Sequence, residues 1–220
     1  MNKFINFIRY FRKFTAFQIF TIYLRYLIGG GFVMAAVGMG KLSKLPEPLL
    51  NSTNIPLDEL EPMQLFFRVM VESGMYWNFI GWSQILAGGL LMTQRFASLG
   101  AAIFFGIILN IFVITFSYGF IGTPVVTGLM LLTTIFLILW DIEKWQFIFR
   151  PYSLENLLPP QSLSIIGKPF WEVLGVLMFV LIFILYFTGY NITFQIITCL
   201  LIGFTGFVIF FLLQRRSPSL

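Results

Sequence analysis

Histidine is absent from the 220-residue chain, and cysteine occurs once, at Cys199. The lack of histidine excludes histidine-ligated haem or copper and histidine proton relays. A single cysteine excludes an intrachain disulfide framework and a redox-active thiol pair. No glycine-rich phosphate loop followed by Lys and Ser or Thr occurs. We therefore predict no catalytic residues, no metal site and no covalently bound cofactor.

Charged residues are also scarce, at 10% of the chain, against about 25% in soluble domains. Hydrophobic residues make up 58%, with 28 phenylalanines, so the bilayer must be the solvent for much of the surface. The sequence predicts an all-α fold, a polytopic integral membrane helix bundle with membrane lipids around it. Six transmembrane helices of near the required ~20 residues are placed at about 18–40, 74–93, 98–119, 123–140, 170–188 and 192–213.

The predicted organisation has four segments. Residues 1–17 form a basic amphipathic segment at the inner interface, because Phe7, Phe11 and Phe14 fall on one helical face. Residues 18–140 form a four-helix core with an outer loop at 41–73, in which Pro62 starts a short helix. Residues 141–169 form a cytoplasmic loop. Residues 170–220 supply two additional transmembrane helices, expected at the periphery, and a short basic tail.

The distribution of Lys and Arg sets the orientation. With the N-terminus inside, most basic residues fall on inner segments, and the outer segments hold only Lys41, Lys44 and Arg68. The sequence thus predicts a bacterial inner-membrane protein with both termini in the cytoplasm. Because the basic residues collect at membrane ends and not on one soluble face, no nucleic-acid partner is predicted.

Arg25 is a charge inside the first apolar segment. Such a charge costs about 2.5–3.5 kcal/mol on insertion scales and needs a partner or a route to the interface. One interpretation is a structural Arg that snorkels or pairs with Asp141. The other is a buried cationic centre that meets an anion or a quinone carbonyl. Thr133 and Thr134 on the fourth predicted span lie at a similar depth.

Two amides, Gln84 and Asn110, lie near the middle of the second and third predicted spans. As antiparallel neighbours at equal depth they are expected to hydrogen-bond, a contact worth about 0.6–2 kcal/mol, or to hold the head group of a lipophilic ligand. The candidate ligand-binding residues are therefore Arg25, Gln84 and Asn110. Structural polar roles are assigned to Lys41, Arg95, Thr133, Thr134 and Asp141. The small pair Gly31/Ala35 predicts a close helix contact.

Several of these residues carry a resemblance to a known family. Arg25-Tyr26-Leu27-Ile28-Gly29, Phe32 and Gly38-Met39-Gly40-Lys41-Leu42 resemble the opening helix of the DoxX-like membrane proteins. Gly81-Trp82-Ser83-Gln84-Ile85-Leu86-Ala87-Gly88-Gly89-Leu90-Leu91, then Arg95 and Leu99-Gly100-Ala101, are similar to the family's second helix, inner turn and third helix. The resemblance covers roughly residues 20–140, a four-helix unit. Gln84 stands where the family often has Glu, and an amide carries neither a proton nor a negative charge.

The name-giving members of that family are associated with a membrane thiosulfate:quinone oxidoreductase. The resemblance thus implies a link to quinone or to membrane redox complexes. Three functions stay open. The chain is a non-catalytic or accessory subunit of a membrane complex, respiratory or redox, with other membrane protein subunits as partners; or it is a quinone-interacting redox protein; or it transports a small solute or lipid. Because the sequence has no metal, haem or flavin motif, electrons would have to come from a partner.

Overall fold

The computed structural model of the protein describes residues 2–38, 41–42, 56, 60–145, 163 and 165–216. These ranges contain eight α-helices and no strand: α1 Asn2–Arg12, α2 Thr15–Gly38, α3 Pro62–Glu72, α4 Met75–Met92, α5 Ala97–Ser117, α6 Thr123–Trp140, α7 Pro169–Phe187 and α8 Ile192–Arg216. A short 3-10 helix, Ile142–Trp145, follows α6. Most of the predicted outer loop with Lys44, most of the predicted cytoplasmic loop and the end of the basic tail lie outside the described residues.

Five helices, α2, α5, α6, α7 and α8, are long and apolar enough to cross a membrane. The helical membrane bundle expected from the sequence is therefore confirmed in its class. α4 stands where the second of six spans was predicted, but it is not among the five. Its 18 residues include Asn78, Ser83 and Gln84, which lower its hydropathy. The short helix predicted at Pro62 is confirmed as α3, with Glu61 and Gln64 forming a capping box at its start.

α2 lies at the centre of the bundle, and α4 packs directly on it. The contact is made backbone to backbone, because a Cβ on Gly29 would lie 2.7 Å from the carbonyl oxygen of Gly88. Gly100 makes the same kind of contact between α5 and α4, at 2.7 Å from the backbone nitrogen of Leu91. The predicted contact at Gly31 is not made, since nothing lies within 4 Å of a Cβ placed there. Gly29 and Gly88 take that role instead.

α7 belongs to the core, contrary to the peripheral position expected from the sequence. A Cβ on Gly175 would lie only 2.0 Å from the carbonyl oxygen of Met92, so the backbones of α7 and α4 touch. The hydroxyl of Tyr26 donates a hydrogen bond to the carbonyl of Trp171, and Trp171 and Ile182 are fully buried. A uniformly apolar helix does not reveal which side faces protein, and this is why the peripheral position predicted for α7 was wrong.

α1 lies beside the inner end of α2 with two different faces. Ile5 and Arg12 point into the protein and are buried, whereas Phe7, Tyr10 and Phe14 are exposed. Exposed aromatic rings next to basic residues are typical of a helix lying in the membrane interface. The helix predicted in the N-terminal segment is present, and an ion pair described below fixes it to the bundle.

Candidate functional site

Arg25 is buried and points into the bundle, where it forms an ion pair with Asp141. Its Nη2 lies 2.8 Å from Oδ2 of Asp141, and both side chains are at most 3% exposed. Asp141 is the first residue beyond α6, so the carboxylate sits at the end of the bundle where α6 ends. The pairing interpretation of Arg25 is thus confirmed. A buried pair of this kind compensates two charges that would each be costly alone.

Two further side chains complete the surroundings of the carboxylate. The hydroxyl of Ser98 donates to Oδ2 of Asp141 at 2.8 Å, and Lys144 Nζ lies 3.5 Å from Oδ1. Lys144 also donates to the Ser98 hydroxyl at 2.9 Å. Burial alone raises the pKa of Asp141, but the charges of Arg25 and Lys144 and the Ser98 hydrogen bond outweigh it and hold that pKa below its ordinary value. These contacts favour the charged form of Asp141, the form that pairs with Arg25.

Gln94 is the second partner of Arg25, and its backbone is unusual. Nη1 of Arg25 donates to Oε1 of Gln94 at 2.9 Å. Gln94 lies in the tight turn between α4 and α5 with φ 58°, the one non-glycine residue of the described chain with positive φ. Such backbone strain costs about 1–3 kcal/mol and persists where the surroundings demand it. Here the turn aims the amide at Arg25.

Hydrogen-bond donors outnumber acceptors around Asp141, because the two cations Arg25 and Lys144 face one carboxylate. Arg25 Nε and Gln94 Nε2 are buried without a hydrogen-bond partner among the described residues. The cluster of Arg25, Gln94, Ser98, Asp141 and Lys144, hereafter the inner polar cluster, ties together α2, the α4–α5 turn, α5 and the end of α6. Sequence reasoning missed Gln94, Ser98 and Lys144. The polar run Thr93-Gln94-Arg95 between two apolar helices was the available signal.

A second buried ion pair lies next to the inner polar cluster and joins α1 to the 3-10 helix. Glu143 accepts a hydrogen bond from Arg9 Nε at 2.6 Å, and its Oε2 lies 2.9 Å from Nη1 of Arg12 in an ion pair without hydrogen-bond geometry. The Arg12 and Glu143 side chains are 3% and 2% exposed. Gln18 donates to the carbonyl of Arg12 at 2.9 Å and accepts from the backbone of Ile165 at 3.0 Å. The sequence predicted none of these contacts.

Lys41 and Gln84 form a separate polar contact toward the other end of the bundle. Lys41 Nζ donates to Oε1 of Gln84 at 2.8 Å and lies 5.2 Å from the centre of the Trp77 ring. Both Lys41 and Gln84 are buried. Gly81 makes room for the lysine, because a Cβ there would lie 2.6 Å from the Cβ of Lys41. Burial lowers the pKa of Lys41 to about 8.

The predicted contact between Gln84 and Asn110 is wrong. Gln84 faces α2 and uses its oxygen for Lys41, while Asn110 is exposed on the outer side of α5. Phe104 and Ile108 are the residues of α5 that point inward, and a position two residues after Ile108 falls on the opposite face of a helix. The prediction failed because position along a helix does not determine the face on which a side chain lies.

The three candidate ligand-binding residues are therefore not brought together. Arg25 lies in the inner polar cluster, Gln84 binds Lys41, and Asn110 points away from the bundle. Of the other candidates, Thr133 and Thr134 each donate to a carbonyl of their own helix, at 2.7 Å, and do not bond to Arg25. Arg95 is exposed in the α4–α5 turn. Across the described ranges, no three His, Cys, Asp or Glu side chains converge as metal ligands.

Comparison with known proteins adds one partial match. The chain is similar to YwoB, an uncharacterized protein of Bacillus subtilis, with 36% identity over 84 residues. The match covers 38% of this chain and 54% of YwoB, so the chain spans about half the length of this curated relative. No family model and no solved structure matches the chain. Membership of the DoxX-like proteins stays a prediction from the sequence motifs.

Proposed function

We propose that the chain is a non-catalytic subunit of a bacterial inner-membrane complex, attached to another membrane chain through the outer side of α5. The observation that carries the proposal is Asn110. It lies near the middle of the 21-residue helix α5 and is exposed. Its amide makes no hydrogen bond within the described ranges. The hydrocarbon of a lipid offers no partner to an amide.

The surroundings of Asn110 on α5 favour contact with a second helix. Ala102, Gly106 and Asn110 follow one another at intervals of four residues, so they lie along one face. Nothing lies within 4 Å of a Cβ placed on Gly106. Small residues let two helix backbones approach closely, and an amide within such a contact contributes about 0.6–2 kcal/mol. The proposed partner is a helix with a polar group at the same depth.

The other polar side chains of the bundle support a structural role. Arg25 and Asp141 are bound to each other and to neighbours of the inner polar cluster, and Gln84 is bound to Lys41. Each helps to hold helices together. The resemblance to DoxX-like proteins favours a respiratory or redox complex as the assembly that this chain joins.

The proposal includes six spans with both termini in the cytoplasm. α4 is 18 residues long, which gives a length of about 27 Å, close to the ~30 Å hydrocarbon core. It packs against α2 and α5, and Gln84, its most polar central residue, is buried against α2. Low hydropathy is therefore compatible with a span whose polar side faces protein. An even number of spans also agrees with the basic residues on the inner segments.

The test is purification of the chain from its own host in a mild detergent, followed by native mass spectrometry. We expect a stoichiometric complex with a different membrane chain. Asn110→Leu should dissociate it, whereas Asn110→Gln, which keeps the amide, should retain it. Thr133→Leu is the matched control, because Thr133 bonds only to its own helix. A monomer, a complex of identical chains, or a complex that survives Asn110→Leu would each refute the proposal.

A further inference from the structure

A cavity of about 540 Å³ lies between α2, α7 and α8. Its α2 side is formed by residues that include Leu27, Gly31 and Met34, and its α8 side by residues that include Ile196 and Leu200. Ile182 of α7 closes it from behind and is fully buried. Gly31 creates much of the space, because no atom lies within 4 Å of a Cβ placed there.

The cavity is a window between α2 and α8 that is closed at both ends. At one end, the Tyr23 hydroxyl donates to the carbonyl of Gly203 at 2.7 Å. At the other end, a Cβ on Gly38 would lie 3.6 Å from Cδ1 of Ile192. Between these contacts the two helices stand apart. The opening faces outward, since Leu27 and Leu200 on its edges are 66% and 61% exposed.

The surroundings of the window determine what can enter it. Both α2 and α8 are apolar enough to span a membrane, so the medium outside the window is lipid hydrocarbon. The hydroxyl groups of the lining Tyr23 and Tyr26 are already used for carbonyls of the protein. The lining thus offers no free hydroxyl donor to a polar head group or a ring carbonyl. An apolar chain satisfies this lining, and a polar group does not.

The dimensions fit a long thin group. Along α2 the lining runs from Phe20 to Ala35, a rise of about 22 Å, or most of the ~30 Å hydrocarbon core. A volume of 540 Å³ falls within the ~300–1,000 Å³ of typical small-molecule pockets. It far exceeds the ~150 Å³ of a cavity that stays dry and holds benzene.

We propose that this cavity is a binding site for one acyl chain of a membrane phospholipid, which enters from the bilayer between α2 and α8. The head group stays outside, at the membrane surface. The chain fills space that α8 leaves open and so completes the packing of α2 against α7. This site is separate from Asn110, which lies on a different helix, and it does not depend on the proposed subunit role.

The probe for the test is a phosphatidylethanolamine with a photoreactive diazirine in the middle of one acyl chain, in vesicles with the purified chain. After irradiation, labelled residues are identified by mass spectrometry. We expect label on Ile182, which bulk lipid does not reach because its side chain is fully buried. Gly31→Phe should abolish that label by filling the cavity. Leu129→Phe, which enlarges a side chain that is 60% exposed on α6, should retain it.

A second variant, Ile196→Trp, fills the cavity from α8 and should also abolish label on Ile182. Thermal unfolding of each variant separates loss of the site from loss of the fold. Label confined to exposed residues such as Leu132 in the wild-type chain would overturn the proposal. So would retention of the Ile182 label in a folded Gly31→Phe chain, or its displacement by a stoichiometric amount of a polyprenyl quinone. Gly31→Phe leaves the α5 face intact, so subunit assembly is scored independently.

Discussion

Replacing Asp141 by leucine should destabilise the bundle strongly, because it leaves the Arg25 guanidinium without its counter-charge. Arg25 is 1% exposed in its side chain, and its remaining described partner is the neutral amide of Gln94. Removing one partner of a buried ion pair costs about 3–5 kcal/mol. Lys144 also loses its counter-charge, but its side chain is 46% exposed and keeps the Ser98 hydroxyl, so that loss is small. We expect the free energy of unfolding to fall by about 3–5 kcal/mol.

The double variant Arg25→Met/Asp141→Leu distinguishes the net contribution of the ion pair to the free energy of unfolding from the penalty of leaving one buried charge unpaired. An apolar replacement of both partners is often neutral or stabilising, so the double variant should be more stable than Asp141→Leu alone. The matched control is Glu72→Leu, which breaks the Arg68–Glu72 pair on α3, where the Glu72 side chain is 58% exposed. Exposed pairs contribute about 0–1 kcal/mol.

The assay is the free energy of unfolding in bicelles, measured by steric trapping for the wild-type chain, for the single variants Arg25→Met, Asp141→Leu and Glu72→Leu, and for the double variant. The reasoning is refuted if Asp141→Leu costs no more than Glu72→Leu. It is also refuted if the two single changes at Arg25 and Asp141 add to the loss in the double variant, because two residues that compensate each other cannot be additive.

Three further predictions concern other parts of the molecule. Lys41 has its ordinary pKa of 10.5 in the unfolded chain and a pKa of about 8 in the folded chain. The free energy of unfolding should therefore rise between pH 8 and 10.5, where the unfolded chain binds more protons than the folded chain. Below pH 8 the cost of the buried charge is fully present, and Lys41→Met should remove this dependence on pH. Gly175→Ala should cost about 1–3 kcal/mol or more, because its Cβ would overlap the carbonyl oxygen of Met92, whereas Gly106→Ala should not destabilise the chain. Alkaline phosphatase should be inactive when fused after α8 and active in the α5–α6 turn at Gly119. With the N-terminus inside, activity after α8 and none at Gly119 would mean that α4 does not span the membrane.

One contact of the inner polar cluster, the Arg25–Asp141 pair, could be predicted from the sequence, because a charge in an apolar helix has few possible partners. Arg25 needs a counter-charge, and Asp141 was the acid that a membrane topology places within reach. The 2.8 Å contact confirms that reasoning. The short helix at Pro62 was likewise predictable, because Pro and a capping pair mark a helix start.

The outer polar contact could not be predicted in the same way. Lys41 follows the end of α2, in a segment expected to lie in water, yet its side chain turns back to Gln84. That path exists only because Gly81 has no side chain. Whether a basic side chain at a helix end points toward solvent or into the protein depends on the space that another helix leaves. The sequence of one chain does not show that space. The position of α7 depended on Gly175 for the same reason.

The separation of Arg25 from its partners along the chain has a consequence for biosynthesis. Gln94 lies 69 residues after Arg25 in the sequence, and Asp141 lies 116 residues after Arg25. At about 5–20 residues per second, the carboxylate is synthesised about 6–23 s after the guanidinium. During that interval the Arg25 guanidinium lacks the counter-charge that it has in the folded chain. The Arg25–Asp141 pair, and the packing that depends on it, can therefore form only after α6 has been synthesised.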